Sequence, residues 1–424
     1  MSRLLRSVVL LAACLFAATS FAQSAAYDLW KTPSFFRGYN VLNENPKSVK
    51  DFQDLEDAGA SLAYIATFGW YGPYEPFPRN ESEREEVYSM INKAREVGLR
   101  YAIAVREGPG RTDVYKESIG DKRSTLWTNA EHQRRYASML REIVDELKDD
   151  PLFVGIAPIV EPNPLSDKWY VNATGLAKML KDANIDLASI YRTLTDSIRA
   201  ASRTIPIIVQ GAAYSSPEFF PTAPDVDDQY IVYEFHSYRP REYVYADSTA
   251  SVFYPDIYPS YIEIHPAKLH DKRYLNDSVY KFIRKRAQET GRPIFLGEFG
   301  LQWEQAGGHQ LIDDQSAIAI DNGWHFAYWD WRRYDGRWDY ELFGPQYWNV
   351  VLNSFSRGKS DVERVPEDKS RSMVLTLAQL KARLYKNTDA QIVNLLGQSV
   401  TLDHVRPGHY FILDKQRSKV LVLE

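Results

Sequence analysis

The chain has almost no cysteine. Cys14 is the only one in 424 residues, so a disulfide framework, a thiolate metal site and a cysteine nucleophile are all excluded once the N-terminal segment is removed. Histidine is also sparse. None of the eight lies three or four residues from another, and HExxH is absent; no metal site is therefore expected. GxSxG does not occur, which removes the serine hydrolases of the α/β type. No basic run interleaved with aromatics exists and the net charge is −5, so nucleic acid is excluded as a partner. Past the first two dozen residues no apolar run is long enough to span a bilayer, and no repeat of solenoid period stands out.

The N-terminus itself, MSRLLRSVVLLAACLFAATSFAQS, has the form of a secretion signal. Arg3 and Arg6 supply the positive region, Val8 to Ala18 the apolar region, and Ser20-Phe21-Ala22 a small-x-small cleavage site. Leu11-Ala12-Ala13-Cys14 has the look of a lipobox, but the apolar run continues past Cys14, which favours ordinary cleavage near Ala22. Residues 1–22 are read as the signal, and the protein as secreted, periplasmic or displayed on the cell surface.

What the chain has in quantity is alternation. Runs of strand character lie at Phe35–Val41, Ser61–Thr67, Leu99–Val105, Leu152–Val160, Ile205–Gln210, Gln229–His236, Pro293–Phe299 and Trp324–Trp331. Between them are helical patterns at Ser82–Val97, Asn129–Leu147, Leu187–Arg203 and Asp277–Thr290. Eight strand–helix units predict a (β/α)8 barrel over residues 27–370. A doubly wound sheet would carry a glycine-rich phosphate loop after its first strand. Arg37-Gly38-Tyr39-Asn40 is not one. After about residue 370 short alternating runs at Gln391–Leu395, Tyr410–Leu413 and Val420–Leu423 predict a small β-rich module over 371–424, preceded by an amphipathic stretch at Ser372–Leu384.

In such a barrel the chemistry sits at the C-terminal ends of the strands. Strand 4 runs PLFVGIAPIVEPNP and ends in Glu161; strand 7 runs RPIFLGEFG and ends in Glu298. Two carboxylates across one mouth, about 5 Å apart, are what retaining glycoside hydrolysis needs. The aromatic content of 13% suits a sugar-stacking cleft, although a large β-rich core consumes aromatics too. In FGWYGPYEPF, after strand 2, Trp70 is a stacking candidate, or else the loop packs on its own rings. Tyr214, after strand 5, is a further candidate for substrate contact.

The ordered set RGYN, VEP, HSY, GEFG and YWDW over residues 33–335 resembles clan A glycoside hydrolases, most of all glycoside hydrolase family 5, the cellulases and mannanases. The resemblance implies a TIM barrel, no cofactor and a retaining mechanism, with Glu298 as nucleophile and Glu161 as acid/base. It also implies substrate-site roles for His236 and Tyr238, the tyrosine bonded to the nucleophile, and places Trp329 under the sugar, with Trp331 the lesser candidate. Three positions depart from the family: Val160 stands where the family has Asn, strand 2 lacks its Arg, and strand 3 ends in Arg106-Glu107. Arg106 is expected to supply the missing guanidinium. The expected partner is a β-linked polysaccharide or oligosaccharide, glucan or mannan. The alternative is a barrel that binds carbohydrate in the cell envelope without cleaving it. The C-terminal NLLGQ, PGHYF and KVLVLE resemble, over residues 394–424, the end of type IX secretion sorting domains.

Overall fold

The computed structural model describes residues 26–43, 47–113, 124–165, 172–260, 267–333 and 335–358, and beyond them the backbone of five strands between 373 and 423. The signal segment and Cys14 lie outside the described residues. Eight parallel strands close a barrel: β1 (Arg37–Val41), β2 (Leu62–Thr67), β3 (Tyr101–Val105), β4 (Phe153–Ala157), β5 (Ile207–Gln210), β6 (Ile231–Ser237), β7 (Ile294–Phe299) and β8 (His325–Tyr328). They pair in chain order and β8 returns to β1. Every strand is buried along its whole length, as parallel strands covered on both faces must be.

The helices α1 (Val49–Asp57), α2 (Glu81–Val97), α3 (Ala130–Leu147), α4 (Ala173–Asp182), α5 (Leu187–Ala201), α6 (Lys281–Thr290), α7 (Gly308–Asp321) and α8 (Pro345–Ser356) follow the strands. Their ends are written locally. Ser48 and Asp51 form a capping box on α1, Asn129 accepts the Glu131 and His132 amides of α3, and α2 stops at Gly98 with φ 83°, a conformation that favours glycine. The predicted helix at Asp277–Thr290 starts as α-helix only at Lys281, because Leu275–Val279 forms a π-turn.

Two apolar cores result. The larger lies between strands and helices. The smaller fills the barrel and includes Leu62, Ala102, Val154, Ile208, Val232, Phe295 and Ala327 from the strands. Its floor is closed by residues 26–31, where Trp30 packs on Phe36 and Phe295 and its indole donates to the Val154 carbonyl at 2.8 Å. Among the described residues no helix is long and apolar enough to cross a membrane.

Residues 358–424 form a separate compact unit. Its described strands make one five-stranded sheet, in the order Met373–Leu375, Ser418–Leu423, Gly408–Leu413, Gln391–Asn394, Ser399–Val400. Met373–Leu375 falls inside the stretch read as amphipathic; it pairs parallel with Ser418–Leu423.

Candidate active site

The ends of β3, β4, β6 and β7 converge on one buried cluster. On neighbouring strands the register sets His236 opposite Glu298, so both project from one level of the barrel. Glu298 is gripped from two sides: Arg106 Nη1 donates to its Oε1 at 3.0 Å and the Tyr238 hydroxyl to its Oε2 at 2.9 Å. Arg106 is itself steadied by Asp113, 3.0 Å from Nε, and lies over the Trp329 ring with its guanidinium carbon 5.1 Å from the centroid. The guanidinium absent from strand 2 thus arrives from strand 3, and its planar fork meets two carboxylates at once.

Glu161 is reached differently. The strand stops at Ala157, four residues earlier than Glu161, and Glu161 has φ 50°. A left-handed conformation for a residue with a full side chain costs about 1–3 kcal/mol and persists only where neighbours fix it. Here the Tyr136 hydroxyl donates to Pro158 O at 2.7 Å, Arg111 Nη2 to Val160 O at 2.9 Å, and the Glu161 amide to Gln210 Oε1 at 2.6 Å. That backbone turns the carboxylate toward His236, whose Nδ1 lies 2.8 Å from Glu161 Oε1 and 3.5 Å from Glu298 Oε2. One oxygen of each acid and the imidazole nitrogen all fall within 4.8 Å of one another. Close carboxylates with a histidine between them are also a way to hold a cation; here the imidazole is bonded to Glu161 through one nitrogen and to Glu234 through the other.

Burial first, and the charge of Glu298 second, push the Glu161 carboxyl above the usual carboxylate range, against the pull of His236 and Arg106. A buried acid beside a second carboxylate holds its proton more tightly than a solvated one. Burial works against charge on His236, but the carboxylates of Glu298, Glu161 and Glu234 outweigh it and raise the imidazole to about 10. Burial and Glu298 push the Tyr238 phenol up, so it stays a donor.

The remaining residues singled out from sequence divide. Trp329 is half-buried at the end of β8, with its amide bonded to Phe299 O. Trp331 is buried and donates its indole N–H to Asp51 O at 3.1 Å. Tyr214 is half-buried, with φ 61° in a left-handed turn from Ala213 to Ser215; the Ser215 carbonyl accepts the His236 amide at 3.0 Å, tying that turn to β6. Trp70 does not belong to the site. It is 0% exposed, packed on Tyr88 and Arg84 of α2, so no ring face is left for a sugar. Its loop packs against α3, with Tyr71 bonded to Glu142 and Phe77 edge-on to His132. The apolar side chain of Val160 sits in the barrel core.

Two polar residues beneath the acids, Glu234 and Asn40, escaped the sequence reading. Glu234 is fully buried on β6; its Oε1 lies 3.0 Å from His236 Nε2, and its Oε2 accepts from Tyr64 at 2.8 Å and Gln210 Nε2 at 2.6 Å. The signal was present in IVYEFHS, an acid inside an otherwise apolar strand. Asn40, from RGYN, donates to Gly297 O at 2.7 Å and Tyr328 O at 3.2 Å, pinning β7 and β8 together beneath the rim. Tyr245, 44% exposed, packs against Tyr238 and Trp338 and opens onto solvent beside the acids.

Residues 35–335 match the cellulase family, glycosyl hydrolase family 5. The chain belongs to this family. Solved structures with the same architecture include an endoglucanase, Cel5A from the hyperthermophile Thermotoga maritima, at 16% identity, covering 78% of this chain and 99% of that one with a TM-score of 0.57. The cellulose synthase subunit Z from Clostridioides difficile matches at 17% identity, 76% and 99% coverage and a TM-score of 0.54. A further glycoside hydrolase reaches a TM-score of 0.58 at 14% identity, covering 75% of this chain and 99% of that one. No curated protein sequence matches.

Proposed function

We propose that this family 5 member is an exported retaining glycoside hydrolase acting on β-linked glucan or mannan. The observation that carries the reading is the convergence of Glu161 and Glu298 on one mouth, with an oxygen of each within 4.8 Å of the other, the spacing of double displacement rather than of inversion, which needs room for a water. Glu298 is the nucleophile. Arg106 and Tyr238 hold its two oxygens, and the carboxylate attacks the anomeric carbon while Glu161 gives its proton to the departing oxygen. Glu161, now a carboxylate, then takes a proton from water as that water displaces Glu298. Trp329 supplies an apolar floor, and Arg106, Tyr214 and His236 complete the substrate contacts. No side-chain amide stands at position 160, so recognition of the sugar's 2-position falls to other groups. The likeness to the Thermotoga endoglucanase supports glucan.

The test is the anomeric configuration of the first product from defined β-glucans and mannans, read by proton NMR, together with Glu298→Ala. Retention in the native enzyme and a loss of turnover of at least ~10⁴-fold in the variant, with unchanged unfolding, are expected. Near-normal hydrolysis by Glu298→Ala refutes the assignment. Binding without release of sugar by the native protein favours a non-hydrolytic carbohydrate-binding barrel, the reading to which Val160 points. Export is checked by the N-terminal mass of the mature chain, expected to begin after Ala22.

A further inference from the structure

Glu234 has no place in the proposed displacement, yet the barrel is built around it. It is 0% exposed. A Cβ on Gly297 would stand 1.7 Å from its Oε1, so the glycine of GEFG leaves the space that this carboxylate fills. Its Oε2 accepts two hydrogen bonds, from Tyr64 and from Gln210 Nε2, and the same Gln210 presents Oε1 to the Glu161 amide. Its Oε1 faces His236 Nε2. Gln210 Nε2 can only donate and Tyr64 donates to the same oxygen, so Oε2 is an acceptor. Oε1 is left facing the imidazole, and as a carboxylate oxygen it takes its hydrogen bond from an N–H on Nε2.

We propose that Glu234 is a positioning residue that locks His236 with a proton on Nε2, so that the other nitrogen shares one proton with Glu161. Two arrangements then carry the same number of protons. In one, the Glu161 carboxylic acid donates to the Nδ1 lone pair. In the other, the Nδ1–H of an imidazolium donates to the Glu161 carboxylate. The proton needed by the leaving oxygen is held on this pair, and Glu234 sets how firmly. The first arrangement is the one from which Glu161 can donate to substrate; the second stores the proton beside it.

The other groups facing the pair are accounted for. Tyr64 stands on β2. Arg106 with Asp113 comes from β3 and the loop after it, Tyr238 and Tyr245 follow β6, and Glu298 is on β7. β1 and β8 present Asn40 and Trp329, which do not titrate, and β5 presents Gln210. Arg106 is engaged by Glu298 and Asp113, leaving Glu234 as the anion dedicated to the imidazole. Glu298 first, then Glu161 and Glu234, raise the proton affinity of His236 against the cost of burial.

The inference rests on the reading of Glu161 as proton donor, but its first test needs no turnover. In protein labelled with ¹⁵N-histidine, with His236 assigned by its loss in His236→Asn, the native ring is expected to stay protonated on Nε2 from pH 5 to 9 and to titrate only above that range. In Glu234→Gln the midpoint is expected to fall by about one pH unit or more, since a buried negative neighbour has been removed. Tyr64→Phe takes one donor from Glu234, which then pulls harder on the proton, so the midpoint moves up. Opposite signs in the two variants are the signature. A native ring titrating near 6.5, or a midpoint that Glu234→Gln leaves in place, overturns the proposal. Should Glu234→Gln not fold, an unchanged or lowered midpoint in Tyr64→Phe overturns it. The second test is the pH profile of kcat/KM on an aryl β-cellobioside. Its alkaline limb should move down in Glu234→Gln, with kcat reduced and KM held; a raised KM with an unmoved limb would mean a merely structural role. A native protein inactive on every sugar would refute the hydrolase reading while leaving the NMR result to decide on Glu234.

Discussion

Two single positions test how tightly the site is built. Gly297→Ala would drive a methyl group into the Glu234 carboxylate, in a region closed on all sides. A loss of about 3 kcal/mol is expected, at the upper end of overpacking, measurable by urea unfolding, together with loss of turnover because Glu298 is the next residue. His325 makes a second test, at the other end of the barrel. Its Nδ1 accepts the Phe36 amide at 3.0 Å and its Nε2 donates to Trp30 O at 2.7 Å, so a proton on Nδ1 would face another N–H. Burial, opposed only by the Trp30 carbonyl, lowers the ring to about 4 from 6.5. A base whose folded-state value is depressed contributes its full stability above the unfolded value and loses it as the unfolded chain takes up protons. Stability should therefore fall by roughly 3 kcal/mol between pH 6.5 and pH 4, at about 1.4 kcal/mol per unit. His325→Gln should flatten that slope, read from denaturation midpoints across the range.

At the level of elements, the loop after β2 and the end of β8 behave oppositely although both carry tryptophan near the rim. Trp70 is enclosed by α2 and its loop, whereas Trp329 is only half-buried, with the Arg106 guanidinium over its ring. Trp70→Ala should cost about 3–5 kcal/mol of stability and leave KM within about twofold in protein that still folds. Trp329→Ala should leave the unfolding midpoint close to native and weaken both KM and kcat, because the ring supports Arg106 as well as the proposed sugar position. Steady-state kinetics beside thermal unfolding separate the two. Sequence alone left Trp70 open between stacking on sugar and packing in a loop. Residues near a strand end share the same local pattern in both cases; the decision lies with Arg84 and Tyr88, on a helix the loop folds back to meet.

For the whole molecule, both hydrophobic clusters are closed by residues between 26 and 355, and the last anchor of the barrel is the pair of Arg37 Nη1 contacts to Ser354 O at 2.8 Å and Arg357 O at 2.6 Å. A chain ending at Gly358 should keep the barrel's cooperative unfolding and any hydrolytic activity. A cut before Ser354 would strand a buried guanidinium and should destabilise by about 3–5 kcal/mol. Calorimetry and product assays on the two truncations check this.

The sequence by itself determined the eight alternating strands and four of the helices, three of them to within two residues at each end, because apolar runs, caps and glycine stops act between residues close along the chain. It also placed Glu161 and Glu298 at strand ends, since order along a closed barrel dictates which ends share a mouth. Strands were overread by one or two residues at their starts and by three at the ends of β4 and β8; at β4 the apolar run to Val160 outlasts the ladder and leaves Glu161 on irregular backbone. Only the tertiary structure decided that Arg106 reaches Glu298 and that Trp70 turns inward. It also set Glu234, Gln210 and Tyr64 beneath His236. These contacts join residues as many as 192 positions apart, and their energies depend on closure of the barrel, which removes water from a set of charges that no local pattern brings together.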